Sequence, residues 1–306
     1  MWVRCNWRGL ELPETKKPDR NSAERRLLCV VAHPDDETFG AGSTLIKYAA
    51  EGVSVYTACA TRGDVGEIAE GSDATPETLS EVREQEYYDA GRVMGVKRSI
   101  LYGYRDSGMA GTHDNEHPDA FMNVPLDEIV ARVVDTIREI RPHVVITFDE
   151  GGGYGHPDHI HASKAAKLAY FAAGDPEYAD SKLKSWKPSK LYFQGFPRSR
   201  MRRWMQLFAE ADPDSDMAKL DPEQMGVPDE LLTTIIDTAP FAETRRRAIA
   251  VHRTQYSPLD RLPPGELGEV LAAEYLDTDH YTMADPPADG KMAGAIEHDL
   301  FEGLEI

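Results

Sequence analysis

The chain has 306 residues, 41% of them hydrophobic, enough for one large α/β domain or two small ones with a substantial core. A formal net charge of −19 argues against nucleic acid and anionic membranes as partners, because both repel a surface of that sign. Segment 1–26 is charged throughout without an apolar leader core, and no later run approaches the roughly 20 apolar residues of a membrane span, so a cytoplasmic protein is expected.

Cys5, Cys29 and Cys59 are odd in number and widely spaced, which suggests neither a disulfide framework nor a thiolate metal site. Any metal must then be held by histidines and carboxylates. The short basic clusters Arg200, Arg202, Arg203 and Arg245, Arg246, Arg247 are expected to be solvated helix faces.

In chain order, β-branched apolar runs alternate with segments of helical period, the pattern of βαβ units around a mostly parallel sheet. Strands are expected over 27–32, 53–60, 99–102, 144–148 and 190–196. Helices are expected over 37–52, over 76–95 ending at a glycine, over 126–141 stopped by Pro142, and over 156–174. The run 144–148 is uniformly apolar, so both of its faces should be covered. Leu191-Tyr192-Phe193-Gln194-Gly195 resembles a protease-tag scar, but it lies within an expected strand and is read as native sequence. Beyond residue 198 the pattern weakens. Residues 211–230 are acidic and contain prolines, suggesting an exposed insertion, and 258–290 is again proline-rich; between them a strand is expected over 233–238 and a helix over 241–254.

Two motifs follow apolar strands directly, at the carboxyl ends where open α/β sheets bind ligands. In Ala32-His33-Pro34-Asp35-Asp36-Glu37, His33 and Asp36 are three apart across a tight turn and can share one cation, while Asp35 points elsewhere. In Gly151-Gly152-Gly153-Tyr154-Gly155-His156-Pro157-Asp158-His159, Pro157 suits a first helical turn and His156 and His159 share a face. Two imidazoles, one carboxylate and an open position for water match catalytic zinc. Zinc lowers the pKa of its water from ~16 to about 7, and Asp35 can then accept the proton. The resulting oxyanion needs a donor, either a protonated His156 or the Tyr154 hydroxyl, and Asp158 can orient one of them. His113 and His117 lie in a polar loop and should be exposed, His161 should face away from the site, and His252 divides evenly between packing and the pocket rim.

The pairing of the motif at 32–37 with His156-Pro157-Asp158-His159 resembles the LmbE/PIG-L family of zinc-dependent deacetylases. Within it the resemblance is nearest the mycothiol-pathway branch of N-acetylglucosaminyl-inositol deacetylases and conjugate amidases. It is carried by Arg105-Asp106-Ser107-Gly108-Met109, Arg141-Pro142-His143-Val144-Val145 and the Gly152-Gly153-Tyr154-Gly155 lead-in. It spans roughly residues 26–200, with weaker echoes at His252-Arg253-Thr254-Gln255 and in 299–304.

The resemblance implies a Rossmann-like core over 26–200, an N-terminal extension over 1–25, and an irregular C-terminal part over 201–306 that packs on the core and shapes the substrate pocket. It implies zinc, or alternatively iron, on His33, Asp36 and His159, with Asp35 as general base and His156 and Tyr154 at the oxyanion. It also implies that Glu67, Arg83 and Asp106 contact the sugar and its polyol partner; read without the family, each is a surface or helix-face charge. The expected reaction removes an N-acetyl group from a small GlcNAc-inositol-like compound, and assembly of identical subunits is left open. The amidases carry a lysine where this chain has Gly40, although the residues after 169 look more amidase-like, so conjugate amidase activity is the second expectation. A non-catalytic sugar- or metal-binding relative is the third, against which the retention of Asp35 weighs. No P-loop supports a phosphoesterase.

Overall fold

The computed structural model describes residues 24–211, 225–286 and 296–306. Most of the expected N-terminal extension, Cys5 and residues 212–224 of the acidic stretch lie outside the described residues.

Five apolar runs form strands β1 (Arg26–Val31), β2 (Ser54–Thr61), β3 (Arg98–Tyr104), β4 (Val144–Phe148) and β5 (Lys190–Gly195). They pair in parallel in the order 3-2-1-4-5, so chain direction across the sheet reverses between β1 and β4. There Leu27, Leu28 and Cys29 register with Val144, Val145 and Ile146. Two further strands, β6 (Thr234–Asp237) and β7 (Thr278–Asp285), complete a 7-stranded sheet, with β7 antiparallel to both β5 and β6.

Among the described residues the helices are α1 (Asp36–Phe39), α2 (Gly42–Ala50), α3 (Leu79–Met94), α4 (Leu126–Ile140), α5 (Gly152–Gly155), α6 (Pro157–Ala172), α7 (Arg198–Ala211), α8 (Ala242–Ile249) and α9 (Glu266–Asp277). One layer pairs α4 with α6, and the other packs α2, α3 and α8 together. Covered by both, all five residues of β4 are buried, as its uniform hydrophobicity requires. Two of the long helices end on left-handed residues: Gly95 closes α3 and Arg141, just before Pro142, closes α4. None of these helices is long and apolar enough to cross a membrane among the described residues.

The helix expected over 37–52 is two helices. It breaks at Gly40, where an added Cβ would lie 2.3 Å from Gln194 Oε1 and 2.8 Å from the Asp36 carbonyl. The region after residue 198 is also more ordered than its sequence suggests. The expected strand and helix are β6 and α8, but α7 and β7 carry too many polar residues for their periodicity to stand out, and α9 lies within the proline-rich stretch 258–290; β7 reads Thr-Asp-His-Tyr-Thr-Met-Ala-Asp. Both of its carboxylates find protein partners. Asp279, for example, accepts from the Thr44 amide at 2.8 Å and hydroxyl at 2.7 Å. The last segment is tied down similarly: Glu297 pairs with Lys190 at 2.8 Å, and Leu300 and Phe301 enter the main core.

One expectation changes and one open alternative is decided. Arg245 is not on a solvated face but is 0% exposed beneath α1. His252 is 2% exposed, its Nε2 3.2 Å from Thr38 Oγ1, which places it in the packing behind α1 and not on a pocket rim. Burial first, then the charge of Arg83, pushes its pKa down to about 3. Above the unfolded value of about 6.5 the residue is neutral in both states; below it the unfolded chain takes a proton that the folded protein refuses. This residue should therefore lower stability by about 1.4 kcal/mol per pH unit as pH falls from 6.5 toward the folded value. Urea denaturation at pH 7 and pH 5.5 should show His252→Gln less acid-sensitive than wild type by that amount, and equal slopes would refute the assignment.

Candidate metal centre

The reversal between β1 and β4 brings the two histidine-bearing turns together. Ala32 leads from β1 into the first turn, and β4 runs into Gly151 to Gly155, where Gly152, Gly153 and Gly155 take positive φ that side chains resist. An added Cβ at Gly152 would lie 2.8 Å from His159 Cβ, so the absence of a side chain there lets the loop close on the histidine. His159, in the first turn of α6, stacks on Phe148 with ring centroids 4.1 Å apart.

His33 Nδ1 lies 3.2 Å from His159 Nε2. Asp36 offers one oxygen to each: Oδ2 at 3.3 Å from His33 Nδ1 and Oδ1 at 3.3 Å from His159 Nε2. Ligands at about 2.0–2.1 Å on a tetrahedral ion stand about 3.3 Å apart, which the separation of the two imidazole nitrogens matches, while Asp36 reaches each ring with a different oxygen. The other nitrogen of each ring is engaged. His159 Nδ1 is 3.1 Å from the Gly152 carbonyl, and His33 Nε2 is 3.2 Å from Asp158 Oδ2 and 3.5 Å from Asp106 Oδ1. Outer partners of this kind orient metal-binding imidazoles. His156 also brings a nitrogen within 4.8 Å of the other two histidines, so the buried His33, His156 and His159 form a second, looser set that could hold an ion.

Electrostatics favours a cation. Burial works against a proton on His33, but Asp106, Asp158 and Asp36 outweigh it and hold its pKa well above the ordinary value. Burial likewise opposes ionisation of Asp36, yet His159 and His33 hold its carboxyl well below the usual range. One Asp158 oxygen, Oδ1, is buried without a hydrogen-bond partner.

Asp35 stands beside these groups. Its φ of 150° is a conformation that L-residues rarely adopt, and such strain persists only where the surroundings hold it. Arg83 donates to Asp35 Oδ2 at 3.1 Å, to the Pro34 carbonyl at 3.2 Å and to the Gly63 carbonyl at 2.9 Å. Burial raises the Asp35 pKa to about 6, with Arg83 opposing it.

His156 caps α6, and its Nδ1 accepts from the Asp158 amide at 3.2 Å, which places the proton of a neutral ring on Nε2. Burial first, then the neighbouring imidazoles, pushes its pKa down to about 4, so the ring is neutral at physiological pH and a protonated donor is not what this arrangement supplies. Tyr154 is 52% exposed at the opening, with its ring centroid 5.0 Å from that of His159. The Asp158 carboxylate accepts from the Ser107 amide at 2.9 Å and faces His33, neither His156 nor Tyr154.

Arg83 and Asp106, for which sugar contacts were expected, are buried against the same turn; Asp106 also accepts from the Gly108 amide at 2.8 Å. Glu67 is exposed, one residue beyond Gly66, which itself lies against Arg83. His113 and His117 are exposed, and His161 turns away, its Nε2 3.0 Å from the Val124 carbonyl. The pairing of Arg83 with Asp35 had no signal in the sequence, because 48 positions separate the two residues.

Residues 28–170 match the PIG-L model, GlcNAc-PI de-N-acetylase. A 1D-myo-inositol 2-acetamido-2-deoxy-alpha-D-glucopyranoside deacetylase from Catenulispora acidiphila is 37% identical over 94% of this chain and 92% of its own length. Among solved structures, the N,N'-diacetylchitobiose deacetylase of Pyrococcus horikoshii superposes with a TM-score of 0.58 at 20% identity, covering 85% of this chain and 83% of its own. A 4-carboxy-2-hydroxymuconate hydratase from Pseudomonas putida also scores 0.58, at 17% identity over 86% of this chain and 97% of its own, so these two likenesses speak for the fold alone. The extent and identity of the match to the inositol-glucosaminide relative, together with the paired histidine motifs, establish that this chain belongs to the PIG-L family.

Proposed function

We propose that the protein is a zinc-dependent N-deacetylase that hydrolyses the acetamide of a small N-acetylglucosaminyl compound of the GlcNAc-inositol kind, releasing acetate and a free amine. The observation that carries this reading is the approach of His33 Nδ1, His159 Nε2 and Asp36 to within 3.2–3.3 Å of one another, beside a strained and buried Asp35. The names of the related inositol-glucosaminide deacetylases supply the substrate class.

His33, Asp36 and His159 are the proposed ligands, and the donor set of two imidazoles and one carboxylate suits zinc or ferrous iron. The bound ion supplies Lewis acidity and makes water a usable nucleophile near neutral pH. Asp35 takes the proton of the attacking water; its pKa of about 6 keeps it mostly ionised at neutral pH yet able to hold a proton. Arg83 fixes its carboxylate. The neutral His156 donates from Nε2 to the oxygen where negative charge develops, and the Tyr154 hydroxyl is the second donor. Asp158 holds His33 in orientation through Nε2. When the carbon–nitrogen bond breaks, the proton taken by Asp35 is available to the departing amine. Glu67, exposed beside Gly66, is our candidate contact to the polyol, while Arg83 and Asp106 wall the sugar side of the crevice. Residues 201–306 are proposed to complete the pocket.

Gly40 favours deacetylase over conjugate amidase, because the space a side chain would need is taken by Gln194. Strain at Asp35 weighs against a non-catalytic binder, since a carboxylate with no task in metal binding has no reason to sit at φ 150°.

Asp35→Ala should lower kcat for acetate release by about 10²–10⁴-fold while metal content by mass spectrometry stays at wild-type level. Full activity in this variant would remove its role as base. Stripping the metal with a chelator should abolish acetate release from N-acetylglucosaminyl-inositol, and zinc or ferrous iron should restore it. Faster turnover of an S-conjugated thiol than of the acetamide would overturn the substrate assignment in favour of the amidase.

A further inference from the structure

We infer that Arg245, on α8, is the positioning residue that fixes the metal turn from behind; the inference rests on the metal site proposed above. The turn needs such support. It comprises α1, whose first residue is Asp36 and whose N-cap is Asp35, and a four-residue helix has no stability of its own. With its N-cap at φ 150°, the turn must be held by groups outside it.

Arg245 reaches the other end of that helix. Nε donates to the Thr38 carbonyl at 3.2 Å, and Nη2 donates to the carbonyls of Phe39 and Gly40, the latter at 3.0 Å. These are carbonyls that a one-turn helix leaves unpaired, and a guanidinium among them also complements the negative end of the helix. The Tyr275 hydroxyl, from α9, donates to the same Phe39 carbonyl. The Arg245 guanidinium lies 4.4 Å from the Tyr275 ring centroid, so cation and hydroxyl act on the turn together.

The remaining donors anchor the guanidinium. Nη1 donates to Asp279 Oδ1 at 3.0 Å and Ser43 Oγ at 3.1 Å, while Asp279 Oδ2 accepts from the Thr44 amide and hydroxyl in the first turn of α2. One buried ion pair thereby links the end of α1 to the start of α2 and ties both to β7. Stability alone does not explain it, because well-packed apolar residues commonly serve as well as a buried ion pair. What apolar residues cannot do is fix three carbonyls at hydrogen-bond distance, and a ligand set needs that accuracy.

Arg245→Lys retains a charge for Asp279 but cannot bond the three carbonyls at once. In the cobalt-loaded protein, this variant should bind metal about 10–100-fold more weakly by chelator competition. Its visible cobalt band should shift, and kcat should fall about 10²-fold with little change in KM. Tyr275→Phe leaves the ion pair intact and removes one bond to the Phe39 carbonyl, so the same changes should follow with smaller amplitude. Wild-type cobalt spectrum and affinity in a folded Arg245→Lys would overturn the inference, as would a wild-type result for Tyr275→Phe should the lysine variant fail to fold. If the wild-type chain takes up no cobalt, the metal site and this inference fall together. Cobalt uptake without acetate release sinks only the substrate assignment.

Discussion

Parallel pairing of β1 with β4 is the constraint from which the site follows. With Leu27 to Cys29 in register with Val144 to Ile146, the two strands end side by side and hand the chain to two turns that face one another. Residues 126 positions apart thereby place His33 Nδ1 and His159 Nε2 at 3.2 Å. A register shift of one residue would turn alternate side chains to the opposite face of the sheet and take Val144 to Phe148 out of their matched layers. The cores on both faces of β4 thus fix the distance on which the proposed chemistry depends.

Charge placement is the second determinant. In this poorly solvated crevice Asp36 faces both imidazoles, Asp106 and Asp158 face His33, and Asp35 beside them is paired with Arg83. Buried carboxylates crowded in this way are costly unless a cation shares them. A proton on His33 is a weak substitute, and a divalent ion is the better one; binding should displace that proton. Asp35 differs from Asp36 because one faces an arginine and the other two imidazoles. Burial prevails in raising the first carboxyl, and the imidazoles prevail in lowering the second.

Much of this was legible in the sequence because the informative residues are local. Two motifs of six and nine residues, each following an apolar run, specify strand end, turn and helix start, and the parallel sheet follows from alternating periodicities. What could not be read is long-range and polar. Arg245 looks like one member of a solvated triplet, because nothing at positions 244–248 records the carbonyls of Thr38, Phe39 and Gly40 that surround it. Strand β7 is hidden for the same reason: Asp279 and His280 are buried yet polar, so the strand lacks a clean alternation. The guanidinium of Arg83 bonds Asp35, and only the fold brings α3 against the first turn.

The same architecture superposes equally well on a deacetylase and on a hydratase, so the sheet does not select the reaction. Selection must lie in what the turns carry and how firmly they are held. A one-turn helix bearing a proposed base at one position and a proposed ligand at the next cannot set its own geometry. The chain supplies that geometry from three distant elements: Arg83 on α3 at the front of the turn, His252 beside Thr38, and Arg245 at its end. Two of the three come from the last third of the sequence, where local patterning is weakest. Arg245 lies in a helix that local periodicity announces, yet nothing local announces its contact with the turn, which depends on a side chain meeting carbonyls more than 200 positions away.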